Sequence, residues 1–113
     1  MAEKRDLKRH RKRISIRFGI GEPNRVAFTE DISSSGMFIK TPNIVPPNSK
    51  IRIMFELGGD LKVDVEARVM WAKKVPQNMF HLVKKSGMGV RFLNFHAGED
   101  YFKRYLEQIE AQS

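Results

Sequence analysis

The longest alternating run of the chain lies between Leu61 and Trp71. Every second residue of this run is apolar, and these residues are Leu61, Val63, Val65, Ala67, Val69 and Trp71. The residues between them are charged as far as Arg68, with Met70 after it. Because successive side chains of a strand point to opposite faces, the pattern predicts a β-strand with one buried face.

Five further segments carry strand patterns, and they are residues 14–20, 26–32, 37–40, 51–55 and 87–93. Turn residues separate them, including Gly21-Glu22-Pro23-Asn24 and Gly58-Gly59-Asp60. Three prolines make residues 41–48 a loop, because proline cannot donate to a central ladder. Six short strands separated by turns predict a mainly β fold, a six-stranded antiparallel β-barrel.

The period changes from two to that of a helix after Gly98. Phe102, Tyr105, Leu106 and Ile109 have the spacing of one helix face, which predicts an amphipathic α-helix over residues 98–111. We therefore expect a single domain, residues 14–113, in which this C-terminal helix packs on the barrel. Residues 1–13 are expected to form a flexible, basic N-terminal arm.

Positive charge is concentrated at the N-terminus. The chain has a net charge of +8, and residues 1–17 carry eight Lys or Arg against two acidic residues, a net charge of +6. Such a cluster favours an anionic ligand, although a solvated tail has the same composition. Arginines stand at positions 5, 9, 13 and 17, so the spacing Arg-x-x-x-Arg occurs in overlapping registers. Each guanidinium is a planar fork that can bind a phosphate or the O6/N7 edge of guanine.

The composition argues against several classes of function. The chain has no cysteine, and its three histidines share no metal-ligand spacing, so we expect no disulfide and no metal site. No residues form a catalytic constellation, and we expect neither an enzyme nor a bound cofactor. No apolar run approaches the roughly 18 residues of a membrane span, so we expect no membrane insertion and a cytoplasmic location.

The segment Asp31-Ile32-Ser33-Ser34-Ser35-Gly36 allows two interpretations. Asp, Ser and Gly are typical of tight turns, in which side-chain oxygens bond the local backbone. The same residues could bind a ligand, because a carboxylate can accept from guanine N1–H and its amino group, with a hydroxyl beside it. Gly36 would let a flat base or a phosphate approach the backbone.

The order of these motifs resembles the PilZ domain family. The resemblance rests on Arg9-His10-Arg11-Lys12-Arg13 before a strand, Asp31 to Ile39, Val69-Met70-Trp71, and Gly87-Met88-Gly89-Val90-Arg91-Phe92, and it covers about residues 8–106. It implies a six-stranded β-barrel that binds the bacterial second messenger cyclic di-GMP. In the family the second arginine directly precedes the first strand, which selects Arg9 and Arg13 over Arg13 and Arg17.

The resemblance implies a ligand site of Arg9, Arg13, Asp31, Ser33 and Gly36, with Lys8 as a further contact. Family members with arginine at the position of Lys8 often hold two intercalated ligands, so one or two bound molecules remain open here. We expect the ligand to order the arm, which then presents a new surface to a downstream protein in motility or exopolysaccharide output. A monomer and a ligand-dependent dimer both fit.

A second interpretation comes from the charge alone. A small basic β-barrel could bind RNA or single-stranded DNA through exposed aromatic and cationic side chains. Most aromatic residues here alternate toward the core, which makes nucleic acid the less favoured partner. Trp71 is expected in the core or at the barrel rim rather than in a ligand platform. A scaffold of this family that binds only proteins is a third alternative, and the complete motif set argues against it.

Overall fold

The computed structural model describes residues 8–75 and 86–112 of the chain. Within these residues lie seven strands and one helix: β1 (His10–Arg11), β2 (Ser15–Gly19), β3 (Arg25–Ile32), β4 (Gly36–Lys40), β5 (Lys50–Glu56), β6 (Lys62–Lys73), β7 (Gly87–Ala97) and α1 (Glu99–Gln112). All neighbouring strands are antiparallel. No helix in the described part of the chain is long and apolar enough to cross a membrane.

Strands β2 to β7 close into a six-stranded barrel, as the sequence predicts. The strand order is β3-β2-β5-β6-β7-β4, and the pairing of β3 with β4 closes the ring. The two-residue strand β1 is additional to this ring and pairs only with Asp31 and Ile32 of β3. Strand β4 pairs with the same two residues from the opposite side of β3. Strand β1 therefore lies on the side of β3 that pairs with β2, and it continues the line of β2.

The alternating positions of the strands form the core. Its most completely buried large residues are Ile16, Phe18, Ile32, Met37, Ile39, Ile51, Ile53, Val63, Val65, Val69, Met88 and Phe102. Helix α1 contributes Phe102, whose ring meets the rings of Phe55 and Phe92 edge-on at centroid distances of 5.8 and 5.5 Å. The predicted helix is therefore confirmed as an amphipathic element that packs on the barrel. It begins after Gly98, which has a φ of 82°.

Strand β7 is longer than the sequence pattern predicts. The alternation ends at Leu93, whereas β7 continues to Ala97 and pairs with β6 as far as Asp64. Three register shifts interrupt this pairing, between Asp64 and Val65, between Glu66 and Ala67, and between Val69 and Trp71. A bulge adds a residue to one strand only, so the period of two is lost although the ladder continues.

Candidate ligand-binding site

The segment that links β1 to β2 is held against β3 by a buried threonine. The hydroxyl of Thr29 donates to the carbonyl of Lys12 at 2.7 Å and accepts from the amide of Ile14 at 2.9 Å. The amide of Lys12 donates to the carbonyl of Glu30 at 3.2 Å. These bonds bridge the gap between β1 and β2, and they hold the basic segment along the edge of β3 that also pairs with β2.

Two arginines of this segment pair with two neighbouring carboxylates of β3. Arg9 Nη1 lies 2.5 Å from Asp31 Oδ1, and Arg11 Nη2 lies 3.3 Å from Glu30 Oε2. The register of β3 against β4 shifts between Thr29 and Asp31, and both acidic side chains are partly exposed. The structure thus brings together Arg9 and Asp31, which the sequence analysis drew from two separate motifs.

Arg13 lies on an aromatic ring of β3. Its guanidinium carbon stands 4.0 Å from the centroid of the Phe28 ring, a cation–π contact. This pair lies at an open groove of about 630 Å³, whose lining includes Lys12, Lys40 and Thr41. Four cationic side chains, one carboxylate and one aromatic ring therefore border the same groove. Such a lining suits an anionic ligand that carries an aromatic ring.

Arg17, the alternative partner of Arg13 in the Arg-x-x-x-Arg spacing, lies elsewhere. It is an exposed residue of β2, opposite Val26 of β3 and Met54 of β5. It borders a second groove, which also includes Pro23 and Lys62. Arg9 and Arg17 are therefore on different parts of the surface, and a variant of each can separate the two registers.

Ser33 shapes a turn in this structure. Its side chain is fully buried, and its hydroxyl accepts from the amides of Ser35 and Gly36 at 3.3 and 3.2 Å. The amide of Ser33 also donates to the carbonyl of Gly36 at 2.9 Å. These bonds support the interpretation of this motif as a tight turn. The role of Ser33 toward a ligand stays a prediction.

Gly36 lies where β4 approaches β7. A Cβ at this position would be 2.1 Å from the carbonyl oxygen of Val90, which is shorter than any real contact of this kind. Glycine is therefore required here by backbone packing. This requirement is independent of the predicted approach of a ligand to Gly36.

Lys8 and His10 connect the basic segment to the C-terminal helix. Lys8 Nζ lies 3.9 Å and His10 Nε2 lies 3.6 Å from Glu110 Oε2 of α1. The Lys8 side chain is largely exposed, so its ammonium group can leave Glu110 for another anionic partner. Its predicted contact with a ligand stays a prediction.

Two aromatic residues that were not predicted as ligand contacts lie in line with Asp31. Asp31 of β3 faces Phe38 of β4, Phe38 faces Gly89 of β7, and Gly89 faces Trp71 of β6. The rings of Phe38 and Trp71 stack with centroids 5.3 Å apart and an interplanar angle of 24°. A Cβ on Gly89 would meet the indole at 2.3 Å, and one on Gly87 would meet the Phe38 ring at 2.5 Å. In the sequence, the spacing Gly87-x-Gly89 within a strand is the feature that indicates this aromatic surface, because only residues without a Cβ leave room for the two rings.

The carboxyl group whose pKa is clearly shifted, that of Asp64, lies away from the groove. Arg52 donates to both carboxylate oxygens of Asp64 at 2.8 Å, and these bonds hold the pKa of Asp64 below its usual value. The same pairing raises the pKa of Arg52. Among the residues that the structure describes, no group of three His, Asp or Glu side chains is arranged to hold a metal ion.

Comparisons with known proteins give a consistent result. The family described as PilZ domain matches residues 3–108. The fold is similar to that of the inhibitor of motility MotI/DgrA of Bacillus subtilis, with a TM-score of 0.72 and 14% identity over 93% of this chain and 50% of that one. It is also similar to the PilZ domain of CeSA from a cellulose synthesizing bacterium, with a TM-score of 0.62 and 18% identity over 91% of this chain and 98% of that one.

The chain thus spans about half the length of MotI/DgrA. At these identities the two structures establish a shared fold. A search of curated proteins found no match.

Proposed function

The chain belongs to the PilZ domain family, and we propose that it is a receptor for cyclic di-GMP without catalytic activity. The observation that carries the proposal is the meeting of Arg9 and Asp31 beside a cationic groove. One of these residues can bind a phosphate and the other a guanine edge. The ligand offers both groups in one molecule.

We propose that binding exchanges the partners of this ion pair. In the ligand-free protein Arg9 neutralises Asp31, and both side chains keep access to solvent, with 43% and 27% of their surface exposed. A bound phosphate would take Arg9, and the guanine N1–H and amino group would take the freed carboxylate. The exchange replaces one exposed ion pair by several charge-assisted bonds, each contributing on the order of 1.5–3 kcal/mol.

Arg13 would contribute to binding through its planar guanidinium group and its positive charge. Its guanidinium already stands over the Phe28 ring, so its position is partly fixed before the ligand arrives. Four charge-assisted contacts, less the cost of ordering the arm, are consistent with roughly micromolar affinity, about 8 kcal/mol. Ser33 and Gly36 would act by shaping the turn beside Asp31, and Lys8 by an additional contact with phosphate.

The ligand would also reorganise the arm, residues 1–13. The bonds of Thr29 to Lys12 and Ile14 give this movement a fixed base. The part of the arm before this base would fold over the ligand, and the surface that arm and ligand form together would bind a downstream protein. We propose motility or exopolysaccharide production as its output. We place the protein in the cytoplasm, because a chain without cysteine suits a reducing compartment.

Isothermal titration calorimetry with cyclic di-GMP tests the proposal, with cyclic di-AMP as the control ligand. We expect saturable binding of cyclic di-GMP and at least tenfold weaker binding of cyclic di-AMP, because adenine lacks the N1–H and the 2-amino group of guanine, from which the Asp31 carboxylate would accept. No heat up to high micromolar ligand would refute the proposal. Binding of a single-stranded oligonucleotide with no binding of cyclic di-GMP would instead favour the nucleic-acid alternative.

Three arginine variants test the register. Arg9→Ala and Arg13→Ala should each weaken binding strongly, whereas Arg17→Ala should leave the affinity unchanged, although it removes the same charge. Loss of binding in Arg17→Ala together with full binding in Arg9→Ala would assign the ligand to the other register. Melting temperatures of all three variants should stay close to that of the wild type.

A further inference from the structure

The groove on the outer face of β2 holds an arginine that has no partner in the described part of the chain. Arg17 lies in the middle of β2, opposite Val26 of β3 on one side and Met54 of β5 on the other. The groove has a volume of about 710 Å³, and its lining also includes Ser15 and Glu56. The guanidinium of Arg17 makes no hydrogen bond or ion pair with any described residue.

The walls of this groove carry exposed apolar side chains. Val26 is 62% exposed, and among the large apolar side chains that the structure describes only Ile20 is more exposed. Pro23 and Met54 are partly exposed and line the same groove. Apolar surface gains free energy when it is covered, and arginine is enriched among the residues that dominate protein interfaces. The composition of the groove therefore suits contact with another protein surface.

The same groove contains an acid without a partner. Glu56 lies at the end of β5, two residues beyond Met54, and is therefore diagonal to Arg17 across the pair of β2 and β5. Lys62 faces Glu56 across β5 and β6, yet the exposed carboxylate makes no hydrogen bond or ion pair with any described residue. Diagonal positions on neighbouring strands are about 7–8 Å apart. One surface thus carries a cation and an anion side by side, each available to a partner.

A surface with this arrangement of charges is complementary to itself. In a dimer with two-fold symmetry the same surface of both copies is in contact, so each residue of a pair meets its counterpart on the other copy. A two-fold axis between Arg17 and Glu56 would form two identical ion pairs, flanked by the apolar walls of both grooves. A purely acidic or purely basic partner would leave one of these charges without a counterion. The charges therefore favour a second copy of this chain.

The groove lies away from the candidate ligand site. The line of residues from Asp31 to Trp71 runs over β3, β4, β7 and β6, whereas the groove runs along β2 and β5. In the six-stranded ring, β7 is three strands from β2 in either direction. Two copies in contact through the groove would therefore leave both ligand sites accessible.

We propose that two copies of this chain form a two-fold symmetric dimer through this groove, with Arg17 of each copy paired to Glu56 of the other. The dimer does not require the ligand, so the inference is independent of the proposed function. The contact is small, because the outer faces of β3, β2, β5 and β6 together span about 14 Å. An interface below the standard size of about 800 Å² per partner gives a weak dimer, with a dissociation constant on the order of 10–100 µM.

Sedimentation velocity of the ligand-free protein over a range of concentrations tests the dimer. The wild type should shift reversibly from monomer to dimer as its concentration rises. Arg17→Glu and Glu56→Arg should each weaken dimerisation at least tenfold, because each places like charges in contact at both pairs. The double variant Arg17→Glu/Glu56→Arg should dimerise as the wild type does, since it only exchanges the two charges.

Arg91→Glu is the matched control. It makes the same change of charge at an exposed position of β7, on the opposite side of the barrel, and should leave the dimer intact. Thermal unfolding of the two single variants should match that of the wild type, because Arg17 and Glu56 are exposed and have no described partner within the chain.

The outcomes separate this proposal from the receptor proposal. A wild type that stays monomeric up to about 1 mM would overturn the dimer. Unchanged dimerisation in Arg17→Glu, or a double variant that dimerises no better than the single variants, would overturn it as well. Calorimetry should show wild-type affinity of Arg17→Glu for cyclic di-GMP. A dimeric wild type that binds no cyclic di-GMP would refute the receptor proposal alone.

Discussion

Replacing Asp31 by alanine separates a role in binding from a role in folding. In the ligand-free protein the Asp31 carboxylate is paired with Arg9, and 27% of its side-chain surface is exposed. The Ser33–Gly36 turn that follows is held by Ser33 and not by this carboxylate. The substitution therefore removes a surface ion pair and leaves the bonds of the turn in place.

The expected loss of stability is small. Ion pairs at exposed positions contribute about 0.2–1 kcal/mol, and the 43% exposure of Arg9 places this pair in that class. For a domain of this size such a change lowers the melting temperature by no more than about 5 °C. Thermal unfolding followed by circular dichroism measures this shift.

The expected loss of affinity is much larger. Two charge-assisted bonds to a guanine edge contribute at least about 3 kcal/mol, and each 1.4 kcal/mol changes the dissociation constant tenfold. Asp31→Ala should therefore weaken cyclic di-GMP binding by about 100-fold or more in calorimetry. An unfolded Asp31→Ala protein, or a folded one that binds as the wild type does, would refute the reasoning.

Glu30 provides the matched control, because it is the adjacent carboxylate of β3 and pairs with Arg11. Removing a negative charge near a phosphate ligand raises affinity if only net charge matters. Glu30→Ala should therefore bind at least as tightly as the wild type. If both alanine variants strengthened binding, Asp31 would act only as a charge, and the proposed guanine contact would be wrong.

Three further predictions concern the scaffold. Thr29→Val leaves the backbone partners of a buried hydroxyl unpaired, and urea denaturation should show a loss of about 1–3 kcal/mol that Thr29→Ser largely avoids. Gly36→Ala forces a Cβ against the carbonyl of Val90, so its melting temperature should fall well below that of Asp31→Ala, and a normal melting curve would contradict this packing. The lowered pKa of Asp64 stabilises the fold above the unfolded value of about 3.9 and loses that effect as the pH falls through the folded value. Asp64→Asn should accordingly lose less stability than the wild type between pH 5 and about pH 2, as urea titrations at each pH can establish.

The barrel and its helix follow from periodicity because both depend on local spacing. The alternation from Leu61 to Trp71 identified β6 to within two residues at its end, and the spacing that includes Phe102 identified α1 to within one residue. The end of β7 was missed because bulges break the period while the backbone pairing continues. Sequence periodicity indicates which side chains of a strand face the core. It does not indicate every residue whose backbone continues the pairing with a neighbouring strand.

The candidate site was only partly predictable for a different reason. Arg9 and Asp31 could be named from their motifs, and the structure shows that they meet. The contact of Arg13 with Phe28, and that of Phe38 with Trp71, depend on which residues face each other across strands. Strand register arises from the closed barrel as a whole, so short motifs do not encode it.

The closure of the barrel without β1 has a consequence for local unfolding. Strand β1 pairs with β3 over only two residues, whereas the six-stranded ring stays complete when β1 leaves. Its detachment therefore requires much less free energy than global unfolding. Amide hydrogens of His10 and Arg11 should exchange rapidly, and those of β2 to β7 slowly. A bound ligand that holds this strand in place would slow its exchange without needing to change the barrel.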